Sequence, residues 1–222
     1  MNYDIAIDGP AGAGKSTIAK RLAAALNLIY VDTGAMYRAI GLYMLRNSVD
    51  SKDEAAVCAA LKNVNVDIRY EDGKQIVILN DEDVNGLIRT EEVGMAASSF
   101  SALAPVRAHL LSLQRGLAER TDVVMDGRDI GTAILPSAFL KIYLTASSAE
   151  RAKRRYKELV EKGESADLAK IEEDIIKRDE QDMNRAVSPL KKADDATVVD
   201  ASFMNIEEVT DTILKLYNDK KV

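Results

Sequence analysis

Apolar residues follow two rhythms along this chain. Some form short unbroken runs, and others recur every three or four positions over longer stretches. Five runs of the first kind read as buried strands: one centred on Ile5 and Ile7, then 28–32, 122–126, 140–144 and 197–200. Between them lie helical stripes, such as Ile18, Leu22 and Leu26, or Met36, Ile40 and Met44. Val93, Ala96, Ala97 and Phe100 form another on a helix from Thr90, as do Val106, Leu110, Leu113 and Leu117 beyond Pro105, and Val209, Ile213, Leu216 and Tyr217 beyond Asn205, which can cap that last helix. Strands alternating with helices predict a parallel sheet covered on both faces. One segment breaks the rhythm. Val66, Ile68 and Tyr70 alternate, Asp72-Gly73 marks a turn, and 76–79 resumes strand composition, which predicts an inserted antiparallel hairpin. Ser51-Lys52-Asp53-Glu54 has capping-box spacing ahead of a short helix carrying Ala56, Val57, Ala60 and Leu61.

The first strand runs into Gly9-Pro10-Ala11-Gly12-Ala13-Gly14-Lys15-Ser16-Thr17, which fits G-x-x-x-x-G-K-[ST] at every fixed position. Gly9, Gly12 and Gly14 let the backbone wrap so that its N–H groups converge on phosphate oxygens. The helix that follows points its positive dipole end and unpaired N–H groups at the same anion. Lys15 adds a mobile charge for the β- and γ-phosphates, and Ser16 offers a hydroxyl to Mg²⁺. The stretch predicts a nucleoside-triphosphate site.

Later strand ends carry charge. Asp32-Thr33-Gly34 closes the second strand, with Arg38 on the helix beyond; ligands of open α/β sheets gather at such ends. The strand at 122–126 ends in Asp126, in the form of a Walker B carboxylate that binds Mg²⁺, and Gly127-Arg128-Asp129 extends it. Farther on, Arg151, Arg154 and Arg155 share one helical face, beside an apolar stripe of Ala152, Tyr156, Leu159 and Val160. Gly163 interrupts, and a second helix presents Arg178, Asp182 and Arg185. Two solvated helices held by i, i+4 pairs are the plain alternative. The arginines align, however, while the acids lie mostly elsewhere, and that suits a lid folding over phosphates. The single histidine, His109, reads as a packing or surface residue.

Composition narrows the class. At 222 residues the chain is long enough for one large α/β domain with insertions, or a core plus small satellites, and its 47% hydrophobic and 30% charged residues are ordinary for a globular protein. No apolar run approaches a membrane span, the first four residues lack a signal-peptide pattern, and Cys58 is alone, so a cytoplasmic protein with no membrane partner is expected. A net charge of −6 argues against nonspecific nucleic-acid binding, so cations must be concentrated locally at any phosphate site. No long apolar seam stands out, and a monomer is expected.

Taken together, the phosphate loop, Asp32-Thr33-Gly34-Ala35-Met36-Tyr37-Arg38, Asp126-Gly127-Arg128-Asp129-Ile130-Gly131-Thr132, and Arg178-Asp179 through Asn184-Arg185-Ala186 resemble bacterial cytidylate kinase over nearly the whole chain. The resemblance implies a three-layer P-loop NTPase fold with a five-stranded parallel sheet. It places the core at 1–33, 106–147 and 186–222, a monophosphate-binding region with a small antiparallel β element at 34–105, and a helical lid at 148–185. It implies phosphoryl transfer from ATP to CMP or dCMP with Mg²⁺. Carried over by position, Gly9 through Thr17 and Arg154 bind ATP, and Ser16 and Asp126 face the metal. Lys15, Arg128, Arg151, Arg155 and Arg185 surround the transferring group. Thr33 stands near the acceptor, where the family often has serine; Arg38 and Arg128 take its phosphate, and Ser98, Arg107 and Asp129 read cytosine. Arg178, Asp182 and Arg185 reach its sugar and phosphates. Cytosine offers an amine donor beside ring acceptors, whereas uracil would set an oxygen against Asp129.

Other readings remain open on the residues alone. A phosphate-loop kinase for UMP, shikimate or gluconate keeps the same loop. A GTP switch needs an N-K-x-D stretch, which is absent, and the D-x-x-G match at Asp83-Val84-Asn85-Gly86 follows a hairpin and reads as a turn. A scaffolding module would not need two arginine-faced helices.

Overall fold

The computed structural model describes residues 2–221. A five-stranded parallel sheet has the order β2–β6–β1–β7–β8, built from β1 (Ile5–Asp8), β2 (Ile29–Asp32), β6 (Val123–Gly127), β7 (Leu140–Thr145) and β8 (Thr197–Asp200). A second, antiparallel sheet holds β3 (Val66–Glu71), β4 (Lys74–Leu79) and β5 (Glu82–Asp83). The helices are α1 (Lys15–Leu26), α2 (Thr33–Arg46), α3 (Glu54–Leu61), α4 (Glu91–Ser101), α5 (Ala104–Arg120), α6 (Ser148–Glu161), α7 (Leu168–Asn184) and α8 (Ile206–Lys221), with a π-helical turn at Ile130–Ile134.

The chain divides into two compact units, one of residues 1–28 with 123–222 and the other of 29–122. In the first, β1 lies between β6 and β7, with Ile7 opposite Asp126 and Ile142, and Asp8 opposite Gly127 and Tyr143. All four residues of β1 are buried, as a strand covered on both faces requires. α1 packs on β1, β6 and α8, burying Ile18 and Leu22, whereas Leu26 is only half-buried at the helix end. Asn205 and Glu208 exchange side-chain-to-amide bonds of 2.8 and 2.9 Å, capping α8 as expected.

In the second unit α2 buries Met36, Ile40 and Met44, and it packs on α4. Gly41 makes this close approach possible: a Cβ there would lie 2.9 Å from the Ala97 amide nitrogen. Two local expectations change. The cap of α3 is Asp53, which accepts from the Ala56 amide at 2.9 Å, rather than Ser51, which sits in the preceding turn. An Asp at this position can reach the N3 amide directly and needs no capping box. The hairpin gains a short third strand, β5, whose exposed Glu82 and Asp83 carry no apolar signal. Asp83 through Gly86 leaves this strand into a turn.

Candidate active site

The phosphate loop is shaped mainly by backbone. Gly9 adopts φ 151°, and a Cβ there would meet the Leu144 carbonyl oxygen at 1.9 Å, so this position admits only glycine. Gly14 turns left-handed at φ 91° and delivers the chain into α1, whose opening amides face the loop. Lys15 is buried and its Nζ donates to the Pro10 carbonyl at 2.7 Å. Burial pushes its pKa well below the usual lysine value, and Arg128 adds to that, while Asp126, Asp8 and Asp182 act in the opposite direction.

Ser16 Oγ donates to Asp126 Oδ2 at 3.0 Å, so the loop hydroxyl and the β6 carboxylate predicted for the metal stand side by side. No cluster of three or more metal-ligating side chains occurs among the described residues. Two protein oxygens fit Mg²⁺, a hard cation that completes its shell with water and substrate phosphates rather than an all-protein cage.

Beyond β6 lies a lattice of ion pairs. Arg128 Nε donates to Asp182 Oδ2 at 2.8 Å. Arg185 lies 3.6 Å from Asp129 and 3.8 Å from Asp182, and its Nε donates to the Ser188 carbonyl at 2.6 Å. Burial alone would raise the Asp182 pKa. Arg128, by charge and hydrogen bond, together with Arg178 and Arg185, instead holds it below the ordinary carboxylate value. Arg128, Asp129, Arg178, Asp182 and Arg185 are thus one electrostatic group, although they come from two separated motifs.

The arginines of α6 depart from the expectation of an uncompensated face. Arg151 is buried, and its guanidinium donates to the Ala146 carbonyl at 2.9 Å, the Ala11 carbonyl at 3.0 Å and Asp179 Oδ2 at 2.6 Å. It therefore joins the phosphate loop to α7. Arg154 donates to the Ala201 carbonyl at 2.6 Å, and Arg155 reaches its own helix neighbour Glu158 at 3.4 Å. The acid missing from the α6 sequence was Asp179, supplied by α7. A guanidinium in so little water needs such partners. The apolar stripe of α6 is also thinly covered, since Tyr156 and Val160 remain exposed.

In the second unit, Asp32 caps α2 through the Ala35 amide at 2.9 Å and pairs with Arg89 at 2.9 Å. Gln75 brackets its backbone, accepting from the Asp32 amide at 2.7 Å and donating to its carbonyl at 3.1 Å. Thr33 is buried at the first position of α2. Arg38 passes close over Gly34, where an added Cβ would lie 3.5 Å from its Nη1. Ser98 follows Ala97 on α4 at the close approach of α2, and Arg107 of α5 donates to the Ser101 carbonyl at 3.1 Å with its guanidinium 5.4 Å from the Tyr37 ring centre. Thr33, Arg38, Ser98 and Arg107 thus come from three mutually packed helices, α2, α4 and α5. Gln75 and Arg89 were not foreseen, since a lone polar residue in a hairpin or loop carries no motif. His109, as expected, serves packing: its Nε2 lies 2.9 Å from the Val64 carbonyl.

Residues 5–219 match the model of the cytidylate kinase family. The chain belongs to that family. A cytidylate kinase of Caldicellulosiruptor bescii is 49% identical over 214 residues, 96% of this chain and 95% of that protein. The cytidylate kinase of Geobacillus sp. strain WCH70 is 47% identical over 219 residues, 99% of this chain and 98% of its own length. Among solved structures, an uncharacterized protein from Eubacterium ventriosum aligns over 99% of both chains with a TM-score of 0.52 at 15% identity, a likeness of fold alone. Cytidylate kinase membership agrees with the phosphate loop on β1, and no helix among the described residues is long and apolar enough to cross a membrane.

Proposed function

We infer that this chain transfers the γ-phosphoryl group of ATP to CMP and dCMP, giving ADP with CDP or dCDP. The observation that carries the reading is the continuous family match over residues 5–219. Shikimate, gluconate and signalling readings have no observation in their favour.

To the donor we assign the loop from Gly9 to Thr17 and Arg154. Lys15 would leave the Pro10 carbonyl for the β- and γ-phosphate oxygens, whose charge reverses the push of burial on its ammonium. Ser16 and Asp126 would hold Mg²⁺, which supplies charge neutralisation on the triphosphate. To the acceptor we assign Arg128, Asp129, Arg178, Asp182 and Arg185 in the first unit, and Thr33, Arg38, Ser98 and Arg107 in the second. No side chain need act as a nucleophile. Lys15, Arg128 and Arg185 would stabilise charge spreading over the transferring group, with Arg155 joining them and Arg151 holding loop and helix in register. We further assign α6 and α7 as a lid that excludes water, and we propose that the protein acts as a cytoplasmic monomer.

An acceptor panel in a coupled ADP-release assay tests the reading. CMP and dCMP should exceed UMP and AMP roughly tenfold or more in kcat/KM, the equivalent of one or two buried polar groups left unpaired by the wrong base. Equal rates would remove the base-reading roles of Ser98, Arg107 and Asp129.

A further inference from the structure

Asp8 closes β1, one position before the glycine that opens the phosphate loop, and it is 4% exposed. Its Oδ1 accepts from the Ile130 amide and its Oδ2 from the Gly131 amide, each at 2.7 Å. Those are the first two amides of the π-helical turn Ile130–Ile134, which a helix start leaves without partners in its own turn. The residue at the cap position, Asp129, makes no side-chain cap there. A carboxylate from another strand does the capping instead, leaving the Asp129 side chain for Arg185, 3.6 Å away. The Asp129 carbonyl is held in turn by the Ala133 and Ile134 amides at 2.9 and 3.3 Å. A single short π-turn has little capacity to fix its own geometry, so the direction of Asp129 depends on these outside bonds.

The second amide of the clamp is closely surrounded. A Cβ at Gly131 would lie 3.1 Å from Lys141 Cδ and 3.4 Å from Asp8 Oδ2, and Lys141 is itself tied to Asp195 at 2.9 Å. Two amides arriving side by side require two acceptor oxygens. Asparagine offers one, and its NH₂ would face the other amide as a second donor.

We propose that Asp8 is a positioning residue: it orients Asp129 and so sets the selectivity for the acceptor base. One strand end thereby serves both substrates, with Gly9 beginning the donor loop and Asp8 aligning the acceptor's reader. The proposal rests on the assignment of Asp129 to the base, and its test separates the two. In Asp8→Asn the ratio of kcat/KM for CMP over UMP should fall about tenfold or more toward that of Asp129→Asn, the scale expected when a reacting group is slightly misplaced, while KM for ATP stays within about twofold. A wild-type ratio in Asp8→Asn beside a lowered ratio in Asp129→Asn would overturn the proposal. So would an equal loss for CMP and UMP, which marks general loosening. If Asp129→Asn itself keeps the ratio, the base assignment fails and the selectivity role falls with it. The clamp is then read alone from the ¹H–¹⁵N signals of Ile130 and Gly131, which should shift and exchange faster in Asp8→Asn; unmoved signals would discard the clamp as well. Should Asp8→Asn not fold, Asp8→Glu keeps the charge but displaces both oxygens from the Ile130 and Gly131 amides and should give the same selective loss in smaller measure, an unchanged ratio counting against the proposal.

Discussion

The phosphate loop and the α6–α7 hairpin both serve the same anion in the proposed reaction, yet they are held in opposite ways. Around the loop, β1 is fully buried and Gly9 has no space for a methyl group. Its geometry follows from backbone and close packing, which admit little adjustment. In the hairpin Tyr156, Val160, Leu168, Ile176 and Met183 all remain exposed, and the buried Arg151 and Asp182 are both held by ion pairs. Ion pairs such as Lys177 with Glu173 lie on its surface and contribute little. Segments with few buried apolar contacts open at low free-energy cost, as the lid proposed for this hairpin would have to. The difference teaches that one side of the proposed site is fixed by backbone and packing and the other by ion pairs, with Arg151 as the join, since it touches both the Ala11 carbonyl and Asp179.

The largest effect should come from breaking the fixed side. Gly9→Ala forces a Cβ to within 1.9 Å of the Leu144 oxygen and should cost more than about 3 kcal/mol or prevent folding, measured by urea unfolding. Lys15→Ala keeps the fold but should lower kcat by about a thousandfold, with an unchanged circular-dichroism spectrum; near-normal turnover would contradict the role given to the ammonium.

The join is the next target. Asp179→Asn weakens a 2.6 Å charge-assisted bond whose other carboxylate oxygen, buried, makes no hydrogen bond among the described residues. It should destabilise by about 1–3 kcal/mol and raise KM for ATP more than KM for CMP, because Arg151 touches the donor loop. Equal changes in the two KM values would mean that Arg151 does not couple the regions.

The last effect is a pH dependence. Burial raises the Asp8 pKa from 3.8 to about 6, against the two backbone bonds that lower it. The folded state therefore binds its proton more tightly than the unfolded chain, and this contribution to stability is complete below about pH 4 and is lost as pH rises through about 6. The difference in unfolding free energy between wild type and Asp8→Asn should shift against wild type by up to roughly 3 kcal/mol between about pH 4 and pH 7. A flat difference would place the carboxyl in the ordinary range.

Most of the frame was legible in order along the chain. Central strands such as 122–126 are continuous apolar runs because both faces are covered, and the phosphate loop announces itself because its glycines, lysine and serine are contiguous. The cap at Asn205 and the start at Thr90 were equally local. Less legible were β5, which is short and polar, and the π-turn, whose residues Ile130 to Ile134 follow no helical or strand period. Arg151 was the instructive case. Its position on α6 was plain, but its partners lie in the phosphate loop, in the turn after β7 and on α7, so its role as a strut had no trace in local spacing.

By itself, then, the sequence determined the parallel α/β order, the glycine-rich loop motif and the family, because each depends on residues adjacent in the chain or repeating at a fixed period. Tertiary structure alone decided which charges are neutralised, that Asp8 caps a turn more than a hundred residues away, and that Asp182 is bound into a group with Arg128. The physical reason is that a buried charge must find its partner wherever the fold brings one, and that meeting is fixed by strand register and helix packing rather than by sequence distance.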